Sequence, residues 1–309
     1  MKYYLAPLEG VTTSTFRSIY HKYYPAMDKY FTPFLSPHSK KGYATKEKKE
    51  ILPEYNEGMY LVPQILTNNA QDCLDTIGKL KVLGYDEVNL NLGCPSKTVV
   101  SKKRGSGFLA FPEEMDQFLD EVVGKAGIRI SVKTRIGKDD PEEFPRLLEI
   151  YNQYPLEELI IHPRIQKEFY KGKPHLDVFE YAVKESKNKL CYNGDIFTAQ
   201  ADQMIKEKYP SVDTFMLGRG IISHPWLLEE IKEGKKMDRE KFREFHDELF
   251  WSYEEMSFGE KPVLFKMKEI WSFTKPETKE LEKAFKKLRK AESFAVYNKA
   301  AAEVFALLP

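Results

Sequence analysis

The sequence predicts an α/β chain: a (β/α)8 barrel of the TIM type, followed by a small C-terminal helical domain. Three observations point there. Short apolar segments alternate eight times with longer stretches patterned for helices. Each apolar segment stops at Pro, Gly or a polar residue, none of which extends a central strand well. The residues gathered at those stops are of the types that do chemistry, as at the catalytic rim of such a barrel.

The first strand reads from Tyr3 to Ala6 and is ended by Pro7. The second runs from Tyr30 to Leu35 and the third from Leu61 to Leu66. The fourth, Glu87 to Leu92, alternates Val88, Leu90 and Leu92 with Asn89 and Asn91, the period of a strand. The fifth spans Ile128 to Thr134, and the sixth, Leu159 to His162, is cut by Pro163. The seventh, Leu190 to Asn193, stops at Gly194, and the eighth, Thr214 to Leu217, stops at Gly218. Between them lie helical stretches such as Asn69 to Leu83 and Pro112 to Lys125. Pro112 suits a first turn, where its missing N–H is not needed, and Glu113 and Glu114 face the positive end of the helix dipole.

The fourth strand carries the strongest signal. Buried asparagines are costly without partners, so Asn89 and Asn91 imply a polar lining rather than an apolar core. Gly93-Cys94-Pro95 then turns the chain, which leaves Cys94 on a loop just past a strand end. A free cysteine is most often a small buried apolar group. Its position, and the basic loop Lys97, Lys102, Lys103 and Arg104, favour chemistry instead.

The other strand ends supply Gln64, Lys133, Arg135, His162 and Arg164. Any one of these has a dull explanation as a solvated flank or a satisfied donor. Converging on one face, they make a site. Asn193-Gly194-Asp195 and Gly218-Arg219-Gly220 close strands seven and eight, where barrels commonly bind phosphate on backbone N–H groups. Arg219 adds a charge-assisted contact. Neither a dinucleotide fingerprint nor a P-loop is present, so the phosphate belongs to a cofactor such as FMN or to a phosphorylated substrate.

From about Gly234 the pattern turns wholly helical, which sets the expected division at residues 1–235 and 236–309. In the segment Lys279 to Ala291, Leu281, Ala284, Phe285, Leu288 and Ala291 fall on one face. Lys279, Lys283, Lys286 and Lys290 fall on the other, either a solvated face or a contact for RNA phosphates.

Composition bounds the rest. Among 309 residues, 48 Lys and Arg face 47 Asp and Glu, so only local clusters say anything about a charged partner. Cys73, Cys94 and Cys191 lie far apart with no CxxC pair, which predicts neither a disulfide framework nor a metal site and suits a reducing cytoplasm. Met1 to Pro7 lacks the apolar core of a signal peptide, and no apolar run nears a membrane span of ~18 residues.

Several segments together resemble the dihydrouridine synthases. They are Leu5-Ala6-Pro7-Leu8-Glu9-Gly10-Val11-Thr12, Asn89 to Lys97, Val132 to Gly137, Ile161-His162-Pro163-Arg164, Tyr192 to Asp195, and Gly218-Arg219, in family order. The resemblance spans the barrel and continues into the C-terminal helices. It implies an FMN-containing barrel that reduces uridine in RNA, usually tRNA, to dihydrouridine with NADPH. It gives Cys94 the role of proton donor to C5 and places Pro7, Leu8, Glu9 and Gln64 at the flavin. Lys133 and His162 would contact the flavin near N1 and O2, and Asn193, Gly194, Asp195, Gly218 and Arg219 would hold its phosphate. Asn91 would sit near the uracil, with Arg135 and Arg164 as further substrate contacts. Lys102, Lys103, Arg104 and the stripe Lys279, Lys283, Lys286 and Lys290 would meet RNA phosphates. The implied protein is a cytoplasmic monomer without metal or membrane partner. A flavin barrel acting on a free metabolite such as dihydroorotate, and an inactive RNA-binding barrel, are the competing readings. The basic tail argues against the first, and intact Cys94, Lys133 and His162 against the second.

The chain departs from the family pattern at Leu8, where Met is common, at Thr13, where Asp is common, and at Phe108 and Leu109, where small residues follow Gly107. The Leu8 change is close in volume. Phe108 is expected to bear on the loop that covers the active site.

Overall fold

The computed structural model describes residues 1–37, 45–257 and 259–309. Among the described residues nine strands form one parallel sheet: β1 (Lys2–Leu5), β2 (Lys29–Phe31), β3 (Leu61–Val62), β4 (Gln64–Ile65), β5 (Glu87–Leu92), β6 (Arg129–Gly137), β7 (Leu159–Ile165), β8 (Leu190–Tyr192) and β9 (Thr214–Leu217). Their order is β3-β2-β1-β9-β8-β7-β6-β5-β4. The two ends of that list are adjacent in the chain, separated only by Pro63. The Val62 carbonyl accepts from Thr32 N–H (3.2 Å) on one side, and the Pro63 carbonyl from Asn89 N–H (2.9 Å) on the other. So the sheet closes on itself. The third expected strand is one strand in space, split in two because Pro63 has no N–H for the ladder.

Pro163 behaves differently from the sequence expectation. It does not end the sixth strand; β7 continues through it to Ile165. The register jumps there from Arg135↔His162 to Gly137↔Ile165, a bulge. A bulge is where a sheet tolerates a residue that cannot donate. Helix Pro112–Lys125 has the expected bounds, and helix Ala70–Val82 is capped by the Asn69 side chain, which accepts from Asp72 N–H at 2.8 Å.

Two apolar layers follow from the alternation along each strand. Tyr4, Ala6, Phe31, Val62, Ile160, Cys191 and Met216 cluster inside the barrel. Their neighbours Tyr3, Leu5, Leu159, Ile161, Phe215 and Leu217 join the larger core under the helices. Charges are also buried inside. Lys29 bridges Glu87 (2.9 Å) and Glu158 (3.2 Å), and Tyr4 donates to Glu158. Such ions are tolerable only when paired and hydrogen-bonded, as these are. From Glu87 a polar column climbs toward the C-terminal rim. Ser131 donates to Glu87 (3.1 Å), Asn89 to Ser131 (3.0 Å), Gln64 to Asn89 (2.8 Å) and Asn91 to Gln64 (2.8 Å). The buried asparagines of β5 thereby satisfy one another's neighbours instead of facing an apolar core.

Gly234 ends helix Leu227–Glu233 in the left-handed conformation (φ +67°), and the helices Arg239–Met256, Glu260–Trp271, Lys279–Lys290 and Phe294–Leu307 follow. Phe245 seats them on helix Ser14–Tyr23, with its ring edge-on to Phe16, Tyr20, Tyr23 and Tyr24. Burying one such ring contributes about 1.5–3 kcal/mol. Lys266 donates to the Gly10 carbonyl (2.6 Å), which ties helix Glu260–Trp271 to the loop after β1. Among the described residues no helix is long and apolar enough to cross a membrane.

Candidate active site

The C-terminal ends of the strands open on a groove with two connected lobes. One lobe, of about 530 Å³, includes Glu9, Gln64, Asn91, Cys94 and Arg135 in its lining. The other, of about 430 Å³, includes Asn193, Gly194, Phe197, Gly218 and Arg219. Pro7, Leu8, Lys133, His162 and Tyr170 line both. The residues expected at a flavin site, Asp195 excepted, therefore share one groove.

Cys94 is held from both sides. The Asn91 side-chain oxygen accepts from the N–H groups of Gly93 (3.1 Å) and Cys94 (2.9 Å). The Cys94 carbonyl accepts from the N–H (3.1 Å) and hydroxyl (2.8 Å) of Ser106. Gly105 adopts φ +55°, and a Cβ there would sit 2.8 Å from the Cys94 carbonyl oxygen, so only glycine lets the loop fold back this closely. Burial raises the Cys94 thiol above its ordinary range. It stays protonated at neutral pH. Phe108 lies in the same short helical turn as Gly105. It is buried against Phe118, with ring centroids 5.6 Å apart, and lines neither lobe.

Lys133, on β6, is pushed down to about 8 by burial and then by the neighbouring Arg135. His162 lies well below its ordinary value, through burial and then the charges of Arg135, Lys133, Arg164 and Arg219. It is a neutral ring among cations.

The three arginines differ in what they touch. Arg135 is buried, with Nε on the Gly93 carbonyl (3.0 Å), Nη1 on Ile165 (2.9 Å) and Nη2 on Phe169 (2.7 Å). It clamps three strand-end loops together. Arg164 is also buried and donates to Asp195 from both terminal nitrogens, and to the Lys171 and Gly172 carbonyls. Both are held by the fold, and Arg135 also lines the first lobe. Arg219 gives one nitrogen to Asp195 (2.5 Å) and packs between the rings of Tyr170 (4.5 Å) and Phe197 (5.3 Å). Its remaining N–H groups edge the second lobe, beside Gly194 and Gly218. The Asp195 carboxylate thus pairs with two guanidiniums, and Asn193 donates to the Met216 carbonyl (2.8 Å), joining β8 to β9.

Sequence reasoning missed Tyr170 and Phe197. Tyr170 is 44% exposed, stacks on His162 and spans both lobes. It follows Phe169, which is held at φ +53° while its carbonyl accepts from Arg135. No periodicity marks a lone aromatic on such a loop; only its spacing after His162 could have.

The basic residues separate as well. Lys102 and Lys103 are both exposed; Lys103 also leans on Phe111 (3.9 Å) and Glu114 (3.6 Å), and Arg104 donates to Asn68 (3.4 Å). Lys279, Lys283, Lys286 and Lys290 are all exposed on one helix, opposite the buried Leu281, Ala284, Phe285 and Leu288.

Comparison with known proteins agrees with this geometry. Residues 4–304 match the family described as dihydrouridine synthase. The tRNA-dihydrouridine synthase B of Vibrio parahaemolyticus is 28% identical over 246 residues, 76% of this chain and 73% of that protein. A probable tRNA-dihydrouridine synthase of Staphylococcus aureus is 29% identical over 260 residues, 81% and 77% of the two chains. Among solved structures, morphinone reductase shares the fold at 14% identity and a TM-score of 0.52, covering 78% of this chain and 88% of its own. The old yellow enzyme of Trypanosoma cruzi does so at 11% identity and a TM-score of 0.51, covering 77% and 89%. By a family match over nearly its whole length, the chain belongs to the dihydrouridine synthases.

Proposed function

We propose that this protein reduces uridine to 5,6-dihydrouridine in tRNA, with FMN as cofactor and NADPH as reductant. The observation that carries this reading is the single groove that joins a protonated thiol, Cys94, to a cationic floor at Lys133 and a guanidinium rim at Arg219.

The residues present fit FMN. A flat head needs apolar edges, which Pro7 and Leu8 offer, and a positive or donating edge, which Lys133 and neutral His162 offer. A phosphate needs donors and close approach. Among the described residues Arg219 has N–H groups that Asp195 does not take, and Gly194 and Gly218 bring backbone to the same lobe. When bound and reduced, FMN supplies the hydride for C6 of the uracil, and NADPH restores it.

The chain's own residues do the rest. The C5=C6 bond of uracil is polarised by its carbonyl, so charge gathers at C5 as C6 takes hydride. The Cys94 thiol gives its proton to C5 and regains one from solvent. Asn91 fixes the Cys94 backbone, and Gln64 fixes Asn91, so the thiol is aimed before substrate arrives. Lys133 places positive charge where negative charge develops. The target base must leave its stack to reach the groove, at a cost of a few kcal/mol that phosphate contacts elsewhere must offset. We assign that part to Lys102 and to the lysine stripe.

The test is reconstitution. Purified protein should be yellow, release FMN on denaturation, and oxidise NADPH faster when given unmodified tRNA transcript, with dihydrouridine appearing in the RNA. A colourless protein that FMN cannot reconstitute, or NADPH oxidation coupled to a free pyrimidine and indifferent to RNA, overturns the reading.

A further inference from the structure

A second groove, of about 1300 Å³, lies away from the barrel mouth, between helix Glu260–Trp271 and the end of helix Lys279–Lys290. Phe265 stands in it, 67% exposed. A single exposed aromatic is ordinary on a protein surface. Its setting here is not. Lys261 and Arg289 also line the groove, neither with an ion-pair partner among the described residues; two carboxylates line it too, Glu269, paired with Lys266 (3.4 Å), and Glu292. Lys268 spans the groove and donates to the Ala291 carbonyl, which fixes the two walls relative to each other. The ring therefore sits on a rigid platform flanked by unpaired cations.

The groove is also placed on a path. Lys266, next to Phe265 on the same helix, reaches the Gly10 carbonyl in the loop that brings Pro7 and Leu8 to the active-site groove. Arg289, on the opposite wall, belongs to the helix that carries the lysine stripe. The groove is thus tied through one wall to the loop at the barrel mouth and through the other to the helix of the lysine stripe. A stacking face with cations on either side is the arrangement that holds a nucleotide without reading its identity.

We propose that this groove is a nucleotide-docking site for the bound RNA, with an unstacked base on the Phe265 ring and flanking phosphates on Lys261 and Arg289. The proposal rests on the RNA-reductase reading above and deepens it. It names a contact that anchors RNA at a distance while the target base is inserted at Cys94.

The test is tRNA affinity by fluorescence anisotropy, across a salt series, for wild type, F265A, F265L, F265W and the double variant K261E/R289E. Phe265 is exposed, so these changes leave no cavity, and circular dichroism checks the fold. Loss of the stacking face in F265A should weaken binding by about tenfold to a hundredfold. F265L should resemble F265A, because it keeps apolar bulk without a π face, and F265W should bind like wild type. K261E/R289E should weaken binding and shallow the salt slope by about two. If wild-type protein binds tRNA and all variants match it, the groove proposal is overturned and the RNA reading stands. If wild type itself shows no affinity for RNA, both fall. If F265E instead abolishes a self-association seen in sedimentation while RNA affinity is unchanged, the groove joins copies of this chain and the proposal is overturned.

Discussion

Arg164 donates from Nη1 to Nε2 of His162 at 3.0 Å. A guanidinium has no lone pair to accept with, so Nε2 must be the bare nitrogen and the ring proton must sit on Nδ1. The same Arg164 is locked by a two-pronged contact with Asp195. Asp195 therefore sets the tautomer of His162 at one remove.

The first prediction concerns acid stability. The folded pKa of His162 lies well below the unfolded value of about 6.5. Below that pH the unfolded chain takes up a proton that the folded chain refuses, so stability is lost as pH falls. Gln in place of His162 removes this contribution. Urea unfolding at pH 7 and pH 5 should show a smaller loss in H162Q than in wild type. Equal losses would mean that His162 is charged in the folded protein.

Cys94 supplies the second. C94A should keep bound FMN and its reduction by NADPH, yet form dihydrouridine more slowly by on the order of 10²–10⁴. Because burial raises the thiol pKa, the wild-type rate should not decline through the ordinary thiol range on account of Cys94. Normal product formation by C94A leaves Cys94 as packing alone.

Lys133 gives the third, with a different pH signature. Its ammonium is held down at about 8 by burial and Arg135. The positive floor of the groove is present below that pH and lost above it. Affinity for FMN should therefore fall as pH rises through about 8, and K133M should bind weakly at every pH, without that limb. Calorimetry of FMN binding between pH 6.5 and 9.5 decides. A flat profile for wild type would place Lys133 away from the ligand.

Arg135 yields a structural prediction. Its guanidinium satisfies the carbonyls of Gly93, Ile165 and Phe169. R135M leaves these groups buried without their donor, at about 1 kcal/mol or more each. R135M should lose about 3 kcal/mol of unfolding free energy and lower Tm, with weakened FMN retention as a consequence. If R135M is as stable as wild type and fails only with RNA, Arg135 contacts substrate instead.

The contrast between Arg135 and Cys94 explains what the sequence reveals. A strand end followed by Gly and Pro is a local signal, so the place of Cys94 could be read from its neighbours. The same local logic located Lys133, His162 and Arg219 on one rim. Which carbonyls a rim arginine ties together depends on residues up to 42 positions away, as with Arg135 and Gly93. No neighbour in sequence records that. The sequence reading runs the third strand through Pro63, although a missing N–H is a local fact that splits it. The passage of β7 through Pro163 was not legible, because the bulge that admits it is made with β6. Tyr170 escaped notice for the same reason: its ring is placed by Arg135, His162 and Arg219, none of them its sequence neighbours.

The last prediction concerns the lysine stripe. Lys279, Lys283, Lys286 and Lys290 are exposed, and among the described residues none has an ion-pair partner. Lys287, on the same helix, does, with Glu303 at 2.6 Å. Four like charges at helical spacing repel one another by a few tenths of a kcal/mol per pair. RNA turns that repulsion into attraction by placing phosphates along the face and releasing their counterions. Changing all four to Glu should lower tRNA affinity by several orders of magnitude at low salt and reduce the slope of log K against log salt by about one per lost contact. The apolar face of the helix is untouched, so helix content and Tm should hold. A double variant, K279E/K290E, should fall between wild type and the fourfold variant if the contacts act independently. If the fourfold variant binds and modifies tRNA as wild type does at moderate salt, the stripe is a solvated face, and the energy that draws the base into the groove must come from Lys102 and the Phe265 groove.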